Sequence, residues 1–256
     1  MQLSDTRAIV TGGASGLGLA TARHLIASGG KAVLFDLNDD AGAAAVADLG
    51  EANARYVRVD VSDEDAVVAA VAAAVEFMGG VNVAVNCAGI LGPGRVLGKE
   101  GPMPLAQFRT TVMVNLVGSF NVAKAAAAAM QHNTANAEGE RGVIVNTASV
   151  AAYEGQVGQA AYSASKGGVI GMTLPMAREL SRFGIRVMTI APGTFWTPMV
   201  DSMPDTLRQS LEATIPFPSR LGRPEEFASL VGSILGNSYL NGETIRLDGA
   251  TRLAAK

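Results

Sequence analysis

Residues 7–18 read RAIVTGGASGLG, and this stretch decides how the remainder of the chain is to be folded. Arg7 to Thr11 is a short, β-rich apolar run that stops at Gly12. Gly12, Gly13, Gly16 and Gly18 make a turn, and a helical pattern runs on from Leu17 to about Ser28. Strand, glycine turn and helix in that order is the setting of a dinucleotide-binding turn. Glycines let the backbone close on a pyrophosphate, whose charge then faces the helix N-terminus. Gly12, Ser15, Gly16, Leu17 and Gly18 are the candidate contacts. The spacing is G-x-x-x-G-x-G, not the better-known G-x-G-x-x-G, and a glycine-rich turn by itself is as often only a turn.

Working outward, Lys31 to Phe35 (KAVLF) is again strand-like and ends at Asp36, 18 residues beyond Gly18. That is close to the distance at which an acidic residue meets the adenosine ribose hydroxyls. A carboxylate there accepts from a 2′-OH and repels a 2′-phosphate. No arginine stands at 12–18 or 37–40 to offset it, so NAD is favoured over NADP. The plain alternative is a turn or helix-capping aspartate.

The alternation repeats. Arg55 to Val59 is a third strand, ending in Asp60-Val61, with an alanine-rich helix from about Asp63 to Phe77. Val81 to Asn86 is a fourth, closed by Cys87-Ala88-Gly89. Gly142 to Thr147 (GVIVNT), Arg186 to Ile190 (RVMTI) and Thr244 to Leu247 complete seven strands. This is the pattern of a single α/β domain over 1–256, doubly wound, with a parallel sheet covered by helices on both faces. Ligands of such sheets sit beyond the strands' carboxyl ends. Asp36, Asp60, Asn86, Gly89, Ser149 and Pro192-Gly193 all fall there. Cys87 does too, where a small apolar neighbour of a cofactor is a better reading than a nucleophile without a base.

Ser149 to Lys166 (SVAAYEGQVGQAAYSASK) carries the candidate chemistry. Tyr162 and Lys166 stand four apart and share a helix face. A fixed ammonium lowers a phenol's pKa from about 10 and suits it to general acid–base work. Ser149, across from the phenol, is placed to bond the substrate oxygen. The bland alternative is a surface tyrosine and lysine on an amphipathic helix.

Two stretches break the alternation. Residues 91–104 form a Gly/Pro-rich loop carrying Arg95 and Lys99, which suit an anionic substrate tail or mere solubility. Thr194 to Ser219, with Phe195, Trp196, Met199 and Met203, reads as an apolar lid over substrate, or as packing. Between them a long helix is expected from about Leu105 to His132, with Asn115 inside it. Its run Ala125–Ala129 permits close helix approach and suggests a subunit contact.

Composition excludes several classes. The chain of 256 residues has 20 basic and 23 acidic residues, a net charge of −3 and no basic block, so nucleic acid is not the expected partner. One cysteine and two histidines, His24 and His132, assemble no metal site and no internal disulfide. The N-terminal residues lack a basic segment and apolar run, no apolar run is long enough to span a bilayer, and a soluble cytoplasmic protein is the expectation. A serine hydrolase is disfavoured, because no G-x-S-x-G elbow is present and neither histidine ends a strand.

Taken together, TGGASGLG at 11–18, Asp36, Asp60-Val61, NCAG at 86–89, Asn115, Ser149, YSASK at 162–166, Pro192-Gly193 and Thr197 resemble the short-chain dehydrogenase/reductase family over nearly the whole chain. Cys87 departs from the pattern, since many members carry a second Asn there. A narrower resemblance, in TASVAAYEGQVGQAAYSASKGGVIGMTLPMAREL, IPFPSRLG and LNGETIRLDGATRL, is to the type II 3-hydroxyacyl-CoA dehydrogenase group; it is weaker across 91–104. The resemblance implies a Rossmann-type fold, NAD, a homotetramer, and oxidation of short 3-hydroxyacyl-CoA thioesters, 2-methyl-3-hydroxybutyryl-CoA among them. It further implies a Tyr162 base assisted by Lys166, Ser149 orienting substrate, and Asn115 holding a water. Cofactor contacts are implied at Gly12, Ser15, Gly16, Leu17, Gly18, Asp36, Asp60, Val61, Asn86, Cys87, Ala88, Gly89, Tyr162, Lys166, Pro192, Gly193, Phe195 and Thr197, and substrate contacts at Gln156, Arg95, Lys99 and Trp196. The alternatives are a 3-oxoacyl-thioester or steroid carbonyl reductase of the same family and a non-catalytic NAD-binding module.

Overall fold

The computed structural model describes residues 1–99, 101–201 and 205–255. Seven strands form one parallel sheet: β1 (Arg7–Thr11), β2 (Lys31–Asp36), β3 (Ala54–Arg58), β4 (Val83–Asn86), β7 (Gly142–Thr147), β8 (Ile185–Pro192) and β9 (Thr244–Leu247). Their order is β3-β2-β1-β4-β7-β8-β9. The remaining two, β5 (Leu97–Gly98) and β6 (Gly101–Pro102), make a small antiparallel hairpin in the 91–104 loop. The order reverses direction at β1 and β4, which opens a crevice outside the carboxyl ends of those strands.

Alternation of side chains along each strand divides the core into two layers. Ile9, Val33, Ala84 and Ile144 point to one face, where α3 (Glu64–Met78), α5 (Gly118–Met130) and α6 (Ala160–Leu180) cover them. Val10, Leu34, Val85 and Val145 point to the other, under α1 (Gly16–Ala27) and α9 (Pro224–Gly236), with α2 (Asp39–Leu49) at its edge. The strands are apolar on both faces because both faces are covered. Caps fix where the helices begin and end. Asn38 Oδ1 accepts from Ala41 N at 3.0 Å to start α2, and Asp63 Oδ1 accepts from Ala66 N at 3.0 Å to start α3. Gly79, at φ +70°, ends α3 in the left-handed conformation that glycine adopts without strain.

The expected long helix runs unbroken over Leu105–Met130, as α4 (Leu105–Val112), a wider π stretch (Met113–Val117) and α5. By length and composition it is apolar enough to cross a membrane, and half of its most apolar window is buried inside the protein. The alanine run is divided between the chain's own interior and its surface, with Ala128 exposed. Ala125, Ala126 and Ala127 are buried in the chain's own core. Small side chains there let α5 settle closely beside α3. The segment beyond β8 holds two short helices, α7 (Pro198–Asp201) and α8 (Asp205–Ala213), over a small apolar cluster of Val200, Leu211, Ile215 and Leu221 separate from the two main layers. Met203, expected in the lid, lies outside the described residues.

Candidate active site

Every strand of the sheet runs the same way, so the residues that end them gather along one edge. The glycine turn after β1 is the tightest part of it. Gly12 takes φ +61°, and a Cβ on Gly18 would run into the Gly12 carbonyl, so glycine at 18 lets α1 approach the strand end. Ser15 precedes α1 as its cap residue, exposed, with its hydroxyl making no capping bond. Thr197 lies over this turn, its Cγ2 3.4 Å from where a Cβ on Gly16 would stand. Leu17 packs on the apolar layer beneath.

Asp36 ends β2 beside that turn. Its Oδ2 accepts from Ala14 N at 3.1 Å, and its Oδ1 from Leu37 N at 2.8 Å and Asn38 N at 3.2 Å. The carboxylate is thereby fixed at the edge of the crevice by three backbone N–H donors. Asp60 is exposed and binds Ser62 through N (2.9 Å) and Oγ (2.7 Å), while Val61 is buried and its carbonyl accepts from Asn121 Nδ2 at 3.0 Å. The 86–89 segment is tied to the glycine turn by Thr11, whose carbonyl accepts from Cys87 N at 3.2 Å and whose Oγ1 accepts from Ala88 N at 3.0 Å. Asn86 itself is buried, donating to Ser119 O (3.1 Å) and Asn146 Oδ1 (2.9 Å).

Beside them stand the catalytic candidates. Tyr162 and Lys166 lie one turn apart on α6, with Lys166 Nζ 5.9 Å from the phenol ring centre. Lys166 is buried and donates to Thr147 O at 2.7 Å. Ser149 is buried, accepts from Ala151 N at 3.1 Å, and hydrogen-bonds with Tyr162. Asn115, in the π stretch, grips Ile90 in both directions: its Oδ1 accepts from Ile90 N (2.8 Å) and its Nδ2 donates to Ile90 O (2.9 Å). The same Nδ2 donates to Ser165 Oγ at 3.0 Å. A widened turn is a common device for aiming one side chain out of a helix at a functional position.

The electrostatics differ from the expectation that the ammonium would pull the phenol down. Burial raises the pKa of Tyr162, partly offset by its bond with Ser149, and burial pulls Lys166 down to about 8. Desolvation penalises both charged forms, and the ammonium is aimed at the Thr147 carbonyl instead of the phenolic oxygen. Cys87 is pushed up to about 11 by burial, which fits the reading that it is no nucleophile.

Other expected contacts are dispersed. The Phe195 side chain is buried against Phe227, edge to face at 6.5 Å, and leaves only its backbone for a ligand. An apolar ring beyond β8 gains more from the layer under α9 than from the crevice. Gly193 is bound to Leu247 O at 2.9 Å, and a Cβ there would stand 3.0 Å from Asp248 Cα; Pro192 is buried before it. Trp196 is partly exposed, its N–H on Gly222 O at 2.8 Å. Gln156 donates to Ala254 O at 3.2 Å. Arg95 and Lys99 are exposed on the 91–104 loop, which joins the segment before Tyr162 through Gly94 N to Gly158 O, 2.9 Å. A clamp that sequence reasoning missed holds this segment: Glu154 pairs with Arg246 at 2.8 Å and accepts from Leu253 N at 3.3 Å. Thr147 and Thr11 were likewise missed as positioning residues, although both stand in motifs that were read. A second cleft, of about 790 Å³, opens at the opposite edge of the sheet between Arg7, Asn82, Asn133 and Glu140, away from these groups. Among the described residues no group of three or more His, Cys, Asp or Glu side chains is placed to hold a metal ion.

Residues 6–208 match the family model described as short chain dehydrogenase. The chain is 54% identical to a Bos taurus protein named 3-hydroxyacyl-CoA dehydrogenase type-2, over 96% of this chain and 95% of that one. It is 49% identical to the Drosophila melanogaster protein of the same name, over 98% and 99%. The crystal structure of 3-hydroxyacyl-CoA dehydrogenase type-2 from Mycobacterium avium superimposes with a TM-score of 0.93 at 45% identity, covering 97% of this chain and 96% of that one.

Proposed function

The chain belongs to the short-chain dehydrogenase family, and on that premise we propose that it oxidises short-chain 3-hydroxyacyl-CoA thioesters, including 2-methyl-3-hydroxybutyryl-CoA, with NAD. The observation that carries this reading is the meeting of Ser149, Tyr162 and Lys166 with the glycine turn and Asp36 along one sheet edge. The residues present fit a dinucleotide: Gly12 and Gly18 leave room for close backbone approach, and the uncapped N-terminus of α1 with the Ser15 hydroxyl suits a pyrophosphate. Asp36 suits the hydroxyls of an unphosphorylated adenosine ribose.

A dinucleotide held by the glycine turn and Asp36 would supply the hydride acceptor for C3 of the substrate. The rest falls to the protein. Ser149 donates to the substrate oxygen and holds it against Tyr162. Tyr162 takes the proton of the 3-hydroxyl as the C3–H bond breaks and the carbonyl forms. Lys166 supplies cationic charge beneath the phenol, and Asn115 fixes the Ile90 backbone at the floor of the site. In the reverse direction Tyr162 returns the proton.

The test is NADH formation from 3-hydroxybutyryl-CoA and its 2-methyl derivative, with Tyr162→Phe alongside. Loss of a base costs about 10²–10⁴-fold, so the variant should lose nearly all turnover while still quenching on NADH titration. Near wild-type turnover would remove Tyr162 from the role. The CoA portion is assigned to the 91–104 loop. Replacing Arg95 and Lys99 by Gln should raise KM for the CoA ester several-fold with KM for NAD unchanged; equal shifts in both would count against this placement.

A further inference from the structure

The 36–40 turn is built in a way that its sequence does not disclose. Asp36 lies opposite Arg58 in the β2–β3 register. Two side chains of β3 hold the turn from behind: Tyr56 OH donates to Asp36 O at 3.1 Å and to Asp39 Oδ1 at 2.8 Å. Arg58 Nη1 donates to Leu37 O at 2.7 Å and to Asp39 Oδ2 at 2.9 Å. The Tyr56 ring lies against Gly42 of α2, with no room for a Cβ between them. Asp39 therefore spends one oxygen on the phenol and the other on the guanidinium. No arginine stands at 12–18 or 37–40, but the sheet brings Arg58 opposite Asp36.

We propose that Asp39 and Arg58 are specificity-determining residues for the adenosine ribose of the dinucleotide. Asp39 keeps Arg58 neutralised against the Leu37 carbonyl and so denies it to a 2′-phosphate. The inference rests on the reading that Asp36 meets that ribose. A phosphate monoester carries about −1.5 to −2 charges at neutral pH, and guanidinium is its strongest side-chain partner. Arg58 and Asp39 are both more than half exposed, so the guanidinium has the freedom to turn once its carboxylate partner is gone. Tyr56 has a different part. It holds the carbonyl of Asp36 and, with its pKa pushed up to about 12 by burial and by Asp39, it remains a donor over the whole working range.

The experiment is a calorimetric titration of NADH and NADPH into the wild type, Asp39→Asn, Asp39→Asn/Arg58→Gln and Tyr56→Phe. Asparagine keeps the size of Asp39 and an oxygen for Tyr56, and removes the charge. Asp39→Asn should tighten NADPH by up to about fivefold, the upper end of one exposed charge interaction, and leave NADH within about 1.5-fold. The added Arg58→Gln should return NADPH to the wild-type value. Tyr56→Phe should weaken both dinucleotides alike. Equal changes for NADH and NADPH in Asp39→Asn, or a gain that survives Arg58→Gln, overturn the inference while leaving Asp36 in place. A wild type that binds neither dinucleotide, or binds NADPH more tightly, overturns the ribose assignment of Asp36 and this inference with it.

Discussion

Lys166 pays for its position with stability. Its pKa falls from the ordinary lysine range to about 8 because the fold buries it with one carbonyl as partner. A base whose folded pKa is lowered destabilises the protein while it is charged, below about pH 8, and the penalty fades as pH rises toward the unfolded value near 10.4. Lys166→Met should therefore abolish turnover yet raise Tm at pH 7 by about 2–4 °C, with the gain shrinking between pH 8 and 10. A lower Tm at pH 7 would mean that the bond to Thr147 outweighs the buried charge. At this scale Ser149, Tyr162, Lys166 and Asp36 were legible because their spacing and strand-end positions are facts of the chain. Thr11, Thr147, Tyr56 and Arg58 were not, since each acts on a neighbouring strand or helix and only register brings it there. The direction of the Tyr162 shift was also illegible, because burial is a property of the folded molecule.

Among the elements, the strands announced themselves and some helices did not. β1, β2 and β7 were read within a residue of their ends, because buried parallel strands are continuous apolar runs bounded by turn residues. α2 and α9 carried weaker signals. α9 starts at Pro224 and is held there by Glu226, which accepts from Arg223 N at 2.8 Å and pairs with Arg220 at 2.7 Å. Those partners, the Arg220 hydrogen bond first, bring its carboxyl down to about 2. A carboxylate depressed in the fold stabilises it above the unfolded value near 4.3, and the contribution is lost as pH falls from about 4 toward 2. Glu226→Gln should lower Tm at pH 6 and converge with the wild type below about pH 2; parallel curves would show that the charge is not responsible. The alanine run of α5 serves a close helix contact inside the chain through Ala125, Ala126 and Ala127, and small residues suit such contacts inside a chain or between chains alike.

Across the whole molecule, the sheet is a wall between two apolar layers, and each strand contributes to both. Ile9 is fully buried on the α3–α5 side. Ile9→Ala should cost about 2–5 kcal/mol, read as a lower urea midpoint with unchanged slope. A loss below about 1 kcal/mol would mean that this layer collapses readily around the gap. The same wall sends the reacting groups to one edge, so the fold as a whole could be read once the strand–helix alternation was seen. What closes the edge is not local: the segment before Tyr162 is clamped through Glu154 to Arg246, 92 residues later in the chain. That distance is also a delay. A ribosome adding about 5–20 residues per second has made the glycine turn and the serine, tyrosine and lysine about 4–16 s before Arg246 is added. Throughout that interval the nascent chain holds Glu154 without its clamp, and its catalytic machinery waits unlatched until β9, the last strand of the sheet, is synthesised.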